Sequence, residues 1–223
     1  MTHLFEFSVM ASRCSIRLAG IDETTAQRWA DQAISEVRRI EVKYSRYRAD
    51  SMVSRLNAAA GQAARVEVDE ETAGLIGFAG ELHRASSGMF DITSGVLRRA
   101  WDFRSGRLPS QAQIESLLPL VGWEQVEWDG LALRLPQAGM ELDFGGFGKE
   151  YAADRAASLL QGLGATSGSV NLGGDLRVLG PQPDGQPWRI GIAHPRHPGQ
   201  VVASLPLMEG ALATSGDYER FMV

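Results

Sequence analysis

The stretch at residues 141–154, ELDFGGFGKEYAAD, decides how the chain is organised around one site. Its beginning, MELDF with the preceding methionine, is typical of a strand, and three glycines follow before a helical pattern starts. Glycines there let the backbone approach a ligand closely, and the N–H groups of a helix start point at it. Lys149 lies at this positive helix end, where a cation is unfavourable unless a negative group is close. The stretch therefore predicts a strand, a glycine turn and a helix start that hold a phosphate-bearing ligand.

Two familiar phosphate-binding loops do not fit this spacing. The P-loop requires glycine six positions before its lysine and Ser or Thr directly after it, but those places hold Asp143 and Glu150. The Rossmann pattern requires a third glycine where this chain has Tyr151. The segment is therefore a different kind of anion-binding turn or, as the alternative, a loop whose lysine is simply solvated.

The rest of the chain predicts an α+β fold in which layered mixed or antiparallel sheets pack against helices. Apolar spacing and capping residues predict helices from Asp22 to near Ser45, from about Asp69 to Ala85, after Ser110, and from the glycine turn to about Leu163. Alternating apolar residues predict strands at residues 5–10, 14–20, 169–180, 188–194, 201–207 and 211–215, extended chain at 89–93, and a hairpin with a tight Asp129-Gly130 turn. We expect one domain over residues 1–223.

Composition excludes several classes of function. The net charge of -5 and pI near 5.4 do not provide the basic surface that nucleic-acid binding requires. A single cysteine, Cys14, cannot form an internal disulfide, so we expect a buried structural thiol. Neither a secretion signal nor an apolar run long enough to span a membrane is visible, which predicts a cytoplasmic protein.

Several other segments place Asp, Asn, Ser or Thr beside glycine. Each alone is typical of an ordinary turn, because such side chains bond to their own backbone in loops. Together, and in this order, they resemble the ApbE family of FAD:protein FMN transferases over nearly the whole chain, from about Phe7 to Phe221. The segments that carry the resemblance are YRADSMVSRLN (47–57), GMFDIT (88–93) with Trp101, LDFGGFGKEYAAD (142–154), VNLGGDL (170–176), PWRIGIAHP (187–195) and ATSGDYERF (213–221).

The resemblance implies an enzyme that transfers FMN from FAD to a threonine of a target protein, requires Mg²⁺ and releases AMP. It implies a backbone carbonyl of Gly146 as a ligand of Mg²⁺, an ion that prefers hard oxygen ligands. No catalytic base is assigned. The residues that the resemblance implies as FAD contacts are Met10, Tyr47, Met89, Phe90, Asp91, Asp143 and Lys149.

The chain departs from the family pattern in two places. Glu150 replaces the glycine that usually follows the lysine, although a helix accepts Glu readily in its first turn. The family's Asp and Thr metal ligands and its His-Ile-x-Asp-Pro motif follow the ATSGDYER segment, whereas this chain ends at Val223. We therefore expect a C-terminally incomplete transferase domain. Two alternatives stay open: an FAD-binding module without transferase activity, and an FAD pyrophosphatase that uses water as the acceptor.

Overall fold

The computed structural model describes residues 1–101, 106–197 and 199–214. In these ranges the chain forms five α-helices: α1 Glu23–Tyr44, α2 Met52–Ala58, α3 Glu70–Ala85, α4 Gln111–Leu117 and α5 Gly148–Gly162. It also forms ten strands: β1 Thr2–Val9, β2 Ser12–Ala19, β3 Val66–Glu67, β4 Glu127–Trp128, β5 Ala132–Arg134, β6 Gly168–Leu172, β7 Asp175–Gly180, β8 Trp188–Ala193, β9 Val201–Leu207 and β10 Gly210–Leu212. Helices with antiparallel sheets confirm the predicted α+β fold.

Contacts divide the chain into two compact units. Unit 1 contains Met1–Val42 and the described residues from Phe147 on, and unit 2 contains Lys43–Gly146. The chain thus passes from unit 2 to unit 1 at the peptide bond between Gly146 and Phe147, inside the glycine segment. The single domain expected from the sequence stays a prediction.

Unit 1 is built on a five-stranded antiparallel sheet in the order β1-β2-β6-β7-β10. Cys14 of β2 pairs with Leu172 of β6, so the β1–β2 turn and the β6–β7 turn leave the sheet at the same end. The β6–β7 turn consists of Gly173 and Gly174, which both have positive φ, a conformation that glycine adopts without strain. Cys14 is buried, as expected.

Two helices of unit 1 bury the faces that the sequence predicts. The carboxylate of Asp22 caps α1 by accepting a hydrogen bond of 2.9 Å from the backbone N–H of Thr25. The α5 helix contacts β6 and β7, and its small residues allow a close approach to the sheet. The buried side chains are Ala26, Ala30, Ala33, Val37 and Ile40 in α1, and Ala152, Ala153, Ala156, Ala157 and Leu160 in α5.

Unit 2 combines helices with a small three-stranded sheet in the order β3-β5-β4. The predicted helix near Asp69 is α3, capped by that aspartate, and the predicted capping box of Ser110 and Gln113 starts α4. The core of the unit contains large, fully buried side chains from many segments: Leu56, Ile76, Ile92, Leu133, Leu135, Met140 and Leu142.

The strand predicted for MELDF is wrong, because residues 140–143 belong to no ladder. Instead, the side-chain amide of Asn57 forms two hydrogen bonds with the backbone of Leu142. Its Oδ1 accepts from the N–H of Leu142 at 2.7 Å, and its Nδ2 donates to the carbonyl of Leu142 at 3.0 Å. One side chain therefore replaces the neighbouring strand, and the glycine segment is a 3-10 turn, Phe144–Gly146, rather than the end of a strand.

Two further local predictions are wrong. The segment at 89–93 is not extended, because the Asp91 carboxylate caps a 3-10 helix, Ile92–Arg99, by accepting from the N–H of Thr93 at 2.8 Å. In the β4–β5 hairpin, Trp128 pairs with Leu133, so four residues form the connection. Asp129 does not take the positive φ of a tight turn; its carboxylate accepts two backbone N–H groups of the loop instead.

No helix in the described ranges is long and apolar enough to cross a membrane. The cytoplasmic location stays a prediction. The predicted strand at 211–215 is β10 over its first residues, and the motif ATSGDYERF lies outside the described residues from position 215 on.

The substitution Asn57→Ala tests the role of this amide in unit 2. It leaves the N–H and the carbonyl of Leu142, a buried residue, without their partner, so we expect the free energy of unfolding to fall by about 2 kcal/mol. Urea denaturation followed by circular dichroism measures the change. Gln62→Ala is the control, because Gln62 is exposed and its amide donates only to the carbonyl of Ala58. Equal urea midpoints for Asn57→Ala and the wild type would contradict this role.

Candidate functional site

The start of α5 in unit 1 carries an ion pair that the sequence did not reveal. Lys149 Nζ lies 2.6 Å from Asp175 Oδ2. The Asp175 side chain is 5% exposed and the Lys149 side chain 32%. Asp175 is therefore the negative group that makes a lysine favourable at the positive end of a helix. The interpretation of Lys149 as a merely solvated lysine is wrong, because its ammonium is held by a buried carboxylate.

The same helix start has no side-chain cap hydrogen bond among the described residues. Phe147 occupies the position before the first turn, and no side chain in the described part of the chain caps it. The first N–H groups of a helix have no partner within the helix and carry its positive partial charge. A lysine and a helix start that are adjacent in this way favour an anionic ligand.

Two sheet turns of unit 1 lie beside Lys149. A Cβ built on Gly173 would be 2.8 Å from the Ser12 side chain and 3.8 Å from Lys149 Cδ. Glycine is thus required where the β6–β7 turn passes these two residues. Met10, predicted to contact FAD, lies in the β1–β2 turn with φ of 51°, and its N–H donates to the Glu41 carboxylate. Unit 1 therefore places Lys149 within reach of the turn that contains Met10.

Glu150, the departure from the family pattern, also lies in this first turn. Its Oε2 is buried and has no hydrogen-bond partner among the described residues. Burial raises the pKa of the Glu150 carboxyl, and the nearby charge of Asp175 raises it further, whereas the Lys149 ammonium opposes the rise. The Glu150 carboxyl therefore keeps its proton to a higher pH than an ordinary glutamate does.

In unit 2, both the backbone and the side chain of Asp143 are held in place. Its backbone N–H donates to the carbonyl of Ile92 at 3.0 Å, and its Oδ1 accepts from the N–H of Gly145 at 2.9 Å. A Cβ on Gly95 would be 2.5 Å from the Cβ of Asp143, so glycine at 95 is needed for this close approach. The second carboxylate oxygen pairs with the guanidinium of Arg46.

Arg46 links Asp143 to a second predicted contact, Tyr47. Its Nη2 donates to the Tyr47 hydroxyl at 2.8 Å, and its guanidinium lies 4.9 Å from the centre of the Tyr47 ring. The Tyr47 side chain is otherwise 81% exposed. The Nε of Arg46 is buried without a hydrogen-bond partner among the described residues, so the guanidinium keeps an unused donor. Sequence reasoning missed Arg46, although it lies directly before the YRADSMVSRLN segment (47–57).

The predicted contacts Met89, Phe90 and Asp91, called here the 89–91 segment, also lie in unit 2. Met89 is 89% exposed. Phe90 packs against the glycine turn so closely that a Cβ on Gly146 would be 2.8 Å from its ring. Both Asp91 oxygens accept hydrogen bonds, Oδ1 from Thr93 and Oδ2 from the Trp123 N–H at 2.9 Å. The observed role of Asp91 is therefore structural, and its contact with FAD stays a prediction.

The Gly146 carbonyl as a ligand of Mg²⁺ stays a prediction. The carbonyl of Gly146 is a suitable hard oxygen, but one carbonyl does not hold the ion. In the described ranges, His83, Asp91 and Glu124 are the group of three side chains that lie close enough to share a metal. Both ring nitrogens of His83 and both Asp91 oxygens already take part in hydrogen bonds there. We therefore derive no chemical step through a metal.

These features define a class of protein. It is an α+β protein in which a buried acid holds a lysine at a helix start that no side chain of the described residues caps. The model of the ApbE family matches residues 10–223. The FAD:protein FMN transferase of Haemophilus influenzae is 27% identical over 206 residues, which are 87% of this chain and 59% of that protein. The corresponding protein of Klebsiella pneumoniae is 31% identical over 218 residues, 96% of this chain and 66% of that protein.

A solved structure of an ApbE protein is also similar to this chain. The crystal structure of the ApbE protein from Thermotoga maritima matches with a TM-score of 0.90 and 32% identity, covering 100% of this chain and 73% of that one. The chain therefore belongs to the ApbE family, as the sequence motifs indicated. It spans about three fifths of the length of the Haemophilus influenzae relative.

Lys149→Met tests the ion pair. The substitution leaves the buried Asp175 carboxylate without its cation, so we expect the free energy of unfolding to fall by about 1–3 kcal/mol, less than for a fully buried pair. The double variant Lys149→Met/Asp175→Asn removes both charges and should regain most of this loss. Thermal and urea denaturation measure both effects.

Asp154→Asn is the control for this pair. Asp154 lies on the same helix, but it is 63% exposed and 3.6 Å from its partner Arg177, so its loss should change stability by less than about 0.5 kcal/mol. A Lys149→Met variant as stable as the wild type would show that Asp175 does not depend on the lysine.

Proposed function

We propose that this protein transfers FMN from FAD to a threonine hydroxyl of a target protein, depends on Mg²⁺ and releases AMP. Membership of the ApbE family and the name of its relatives, FAD:protein FMN transferase, support the proposal. The structural observation that carries it is Lys149, which a buried acid holds at the start of α5. Such a group is what a pyrophosphate needs.

Lys149 and the α5 start supply positive charge from unit 1. An ammonium has three donors, and Asp175 accepts one of them. Because the Lys149 side chain is about one third exposed, the other donors can reach a ligand. Phosphoryl transfer requires little covalent work from the protein; it requires positioned groups that stabilise the charge on the transferred phosphoryl. Lys149 takes this role in the proposal.

Unit 2 by itself contains the predicted FAD contacts Tyr47, Met89 and Asp143. Tyr47 and Met89 are 81% and 89% exposed, so both side chains are accessible to a ligand. Aromatic faces suit the rings of a flavin or an adenine. Asp143 and Arg46 hold each other in place through their ion pair.

The proposed reaction breaks one bond and forms another. The threonine oxygen forms a new P–O bond with the phosphorus of the FMN half of FAD. The P–O bond of the pyrophosphate breaks, and AMP leaves with the electron pair. The hydroxyl proton passes to a base, and no described residue is assigned this role. The Mg²⁺ of the proposal, which the family resemblance implies, would neutralise phosphate charge.

A binding module is the second candidate. The observation that favours it is that the trio of His, Cys, Asp or Glu side chains close enough to share a metal among the described residues, His83, Asp91 and Glu124, does not include Asp143 or Asp175. An FAD pyrophosphatase differs from the transferase only in that water replaces the threonine.

The test uses protein expressed from the reading frame that encodes this chain. It is incubated with FAD, Mg²⁺ and a library of threonine-containing peptides, and mass spectrometry detects an FMN phosphoester while chromatography detects AMP. We expect one AMP per adduct and neither product when EDTA removes the metal. The variant Lys149→Met/Asp175→Asn, which should stay folded, is expected to lose at least about tenfold in rate because an oriented cation has been removed.

Each alternative gives a different result. AMP and FMN without any adduct would indicate the pyrophosphatase. FAD binding of equal strength with and without Mg²⁺, and without AMP, would indicate the binding module. Either result contradicts the transferase proposal.

A further inference from the structure

His83 lies near the end of α3 in unit 2, and both of its ring nitrogens face oxygen atoms. Nδ1 is 3.0 Å from the carbonyl oxygen of Phe90, and Nε2 is 2.7 Å from Oε1 of Glu124. Asp91 Oδ2 lies 3.6 Å from Nδ1. The His83 side chain is only 12% exposed, so water cannot easily replace these partners.

The chemistry of these partners determines the protonation state that fits them. A carbonyl and an ionised carboxylate accept hydrogen bonds and cannot donate them. A neutral imidazole has one N–H and so can satisfy only one of the two, whereas an imidazolium has two. The arrangement therefore fits a doubly protonated His83 ring.

His83 connects the 89–91 segment, a candidate ligand-binding segment, to a neighbouring turn that contains Glu124. The Phe90 carbonyl is in the 89–91 segment, and Glu124 follows Trp123, whose N–H donates to Asp91. The Phe90 N–H is held separately by Ser86 Oγ at 2.8 Å. The ring thus ties the 89–91 segment to the 3-10 turn Trp123–Gln125.

We propose that His83 is a positioning residue: its doubly protonated ring holds the 89–91 segment against the Trp123–Gln125 turn, and FAD binding weakens when the ring loses its second proton. This inference rests on the proposed function, because the 89–91 segment is assigned to FAD there. His83 itself does not touch the ligand in this scheme.

The electrostatic surroundings support the protonated form. Burial lowers the pKa of His83, but the hydrogen bond and charge of Glu124, the charge of Asp91 and the Phe90 carbonyl outweigh it, so the pKa lies above its ordinary value of 6.5. The other charged side chains at this end of α3, Glu81 and Arg84, pair with each other. A raised histidine pKa contributes stability that is complete below 6.5 and is lost as the pH rises through the raised value.

Nuclear magnetic resonance of the ¹⁵N-labelled His83 ring, in the absence of any ligand, tests whether His83 holds the 89–91 segment. We expect the His83 ring to titrate above 6.5 and to bear protons on both nitrogens below that midpoint, with the Met89 and Phe90 amide signals following the same midpoint. Glu124→Gln removes the neighbouring negative charge and should move this midpoint down. Loss of packing alone would not produce such a shift.

Fluorescence titration with FAD between about pH 6 and pH 9 tests the link to binding. Losing one hydrogen bond of about 1 kcal/mol should weaken FAD binding about fivefold across the His83 midpoint. By reciprocity, saturation with FAD should move that midpoint up by about 0.7 pH unit. His83→Gln, which cannot titrate, should flatten the pH profile. His3→Gln is the matched control, because His3 also bonds a backbone carbonyl, that of Ile21, but lies in unit 1.

The outcomes separate this inference from the proposed function. If no FAD binds at any pH, the proposed function fails, and the Met89 and Phe90 signals still decide whether His83 positions the segment. If FAD binds with a pH profile that His83→Gln leaves unchanged, or if His83 titrates at or below 6.5, the inference is overturned while the proposed function stands.

Discussion

The ion pair between Lys149 and Asp175 is the interaction on which the candidate site depends. A nearly buried carboxylate requires a cation, and a lysine at a positive helix end requires an anion, so each residue removes the electrostatic cost of the other. The pair joins the start of α5 to the first residue of β7, directly after the Gly173–Gly174 turn. The position of this turn next to Ser12 then explains why a side chain at Gly173 would not fit.

The helices with clear patterns could be predicted from the sequence, because their determinants are local. The spacing of small apolar residues in α1 and the Asp22 cap lie within the helix or directly beside it. MELDF could not be predicted, because the group that satisfies Leu142 is the side chain of Asn57, which is far away in the chain. Likewise, the cap by Asp91 turns an apolar segment into a 3-10 helix.

In the candidate site, too, some residues could be predicted from the sequence and others could not. Lys149 and Asp143 were visible as charged residues beside glycines, but their partners were not. Asp175 lies in the VNLGGDL segment and Arg46 directly before the YRADSMVSRLN segment, yet only the folded chain shows which acid pairs with which base. Their pairing depends on the strand register in unit 1 and on the packing of the 3-10 helix in unit 2. The role of His83 was not visible at all, because its partners come from two loops.

The central claim is that the start of α5 binds the phosphates of FAD through Lys149. The most direct test is isothermal titration calorimetry of FAD and riboflavin with the wild type and with Lys149→Met/Asp175→Asn. The account predicts that the wild type binds FAD at least about tenfold more tightly than riboflavin, about 1.4 kcal/mol, and that the double variant loses most of this preference while its riboflavin affinity is unchanged. A preference for FAD of equal size in both proteins would contradict the account.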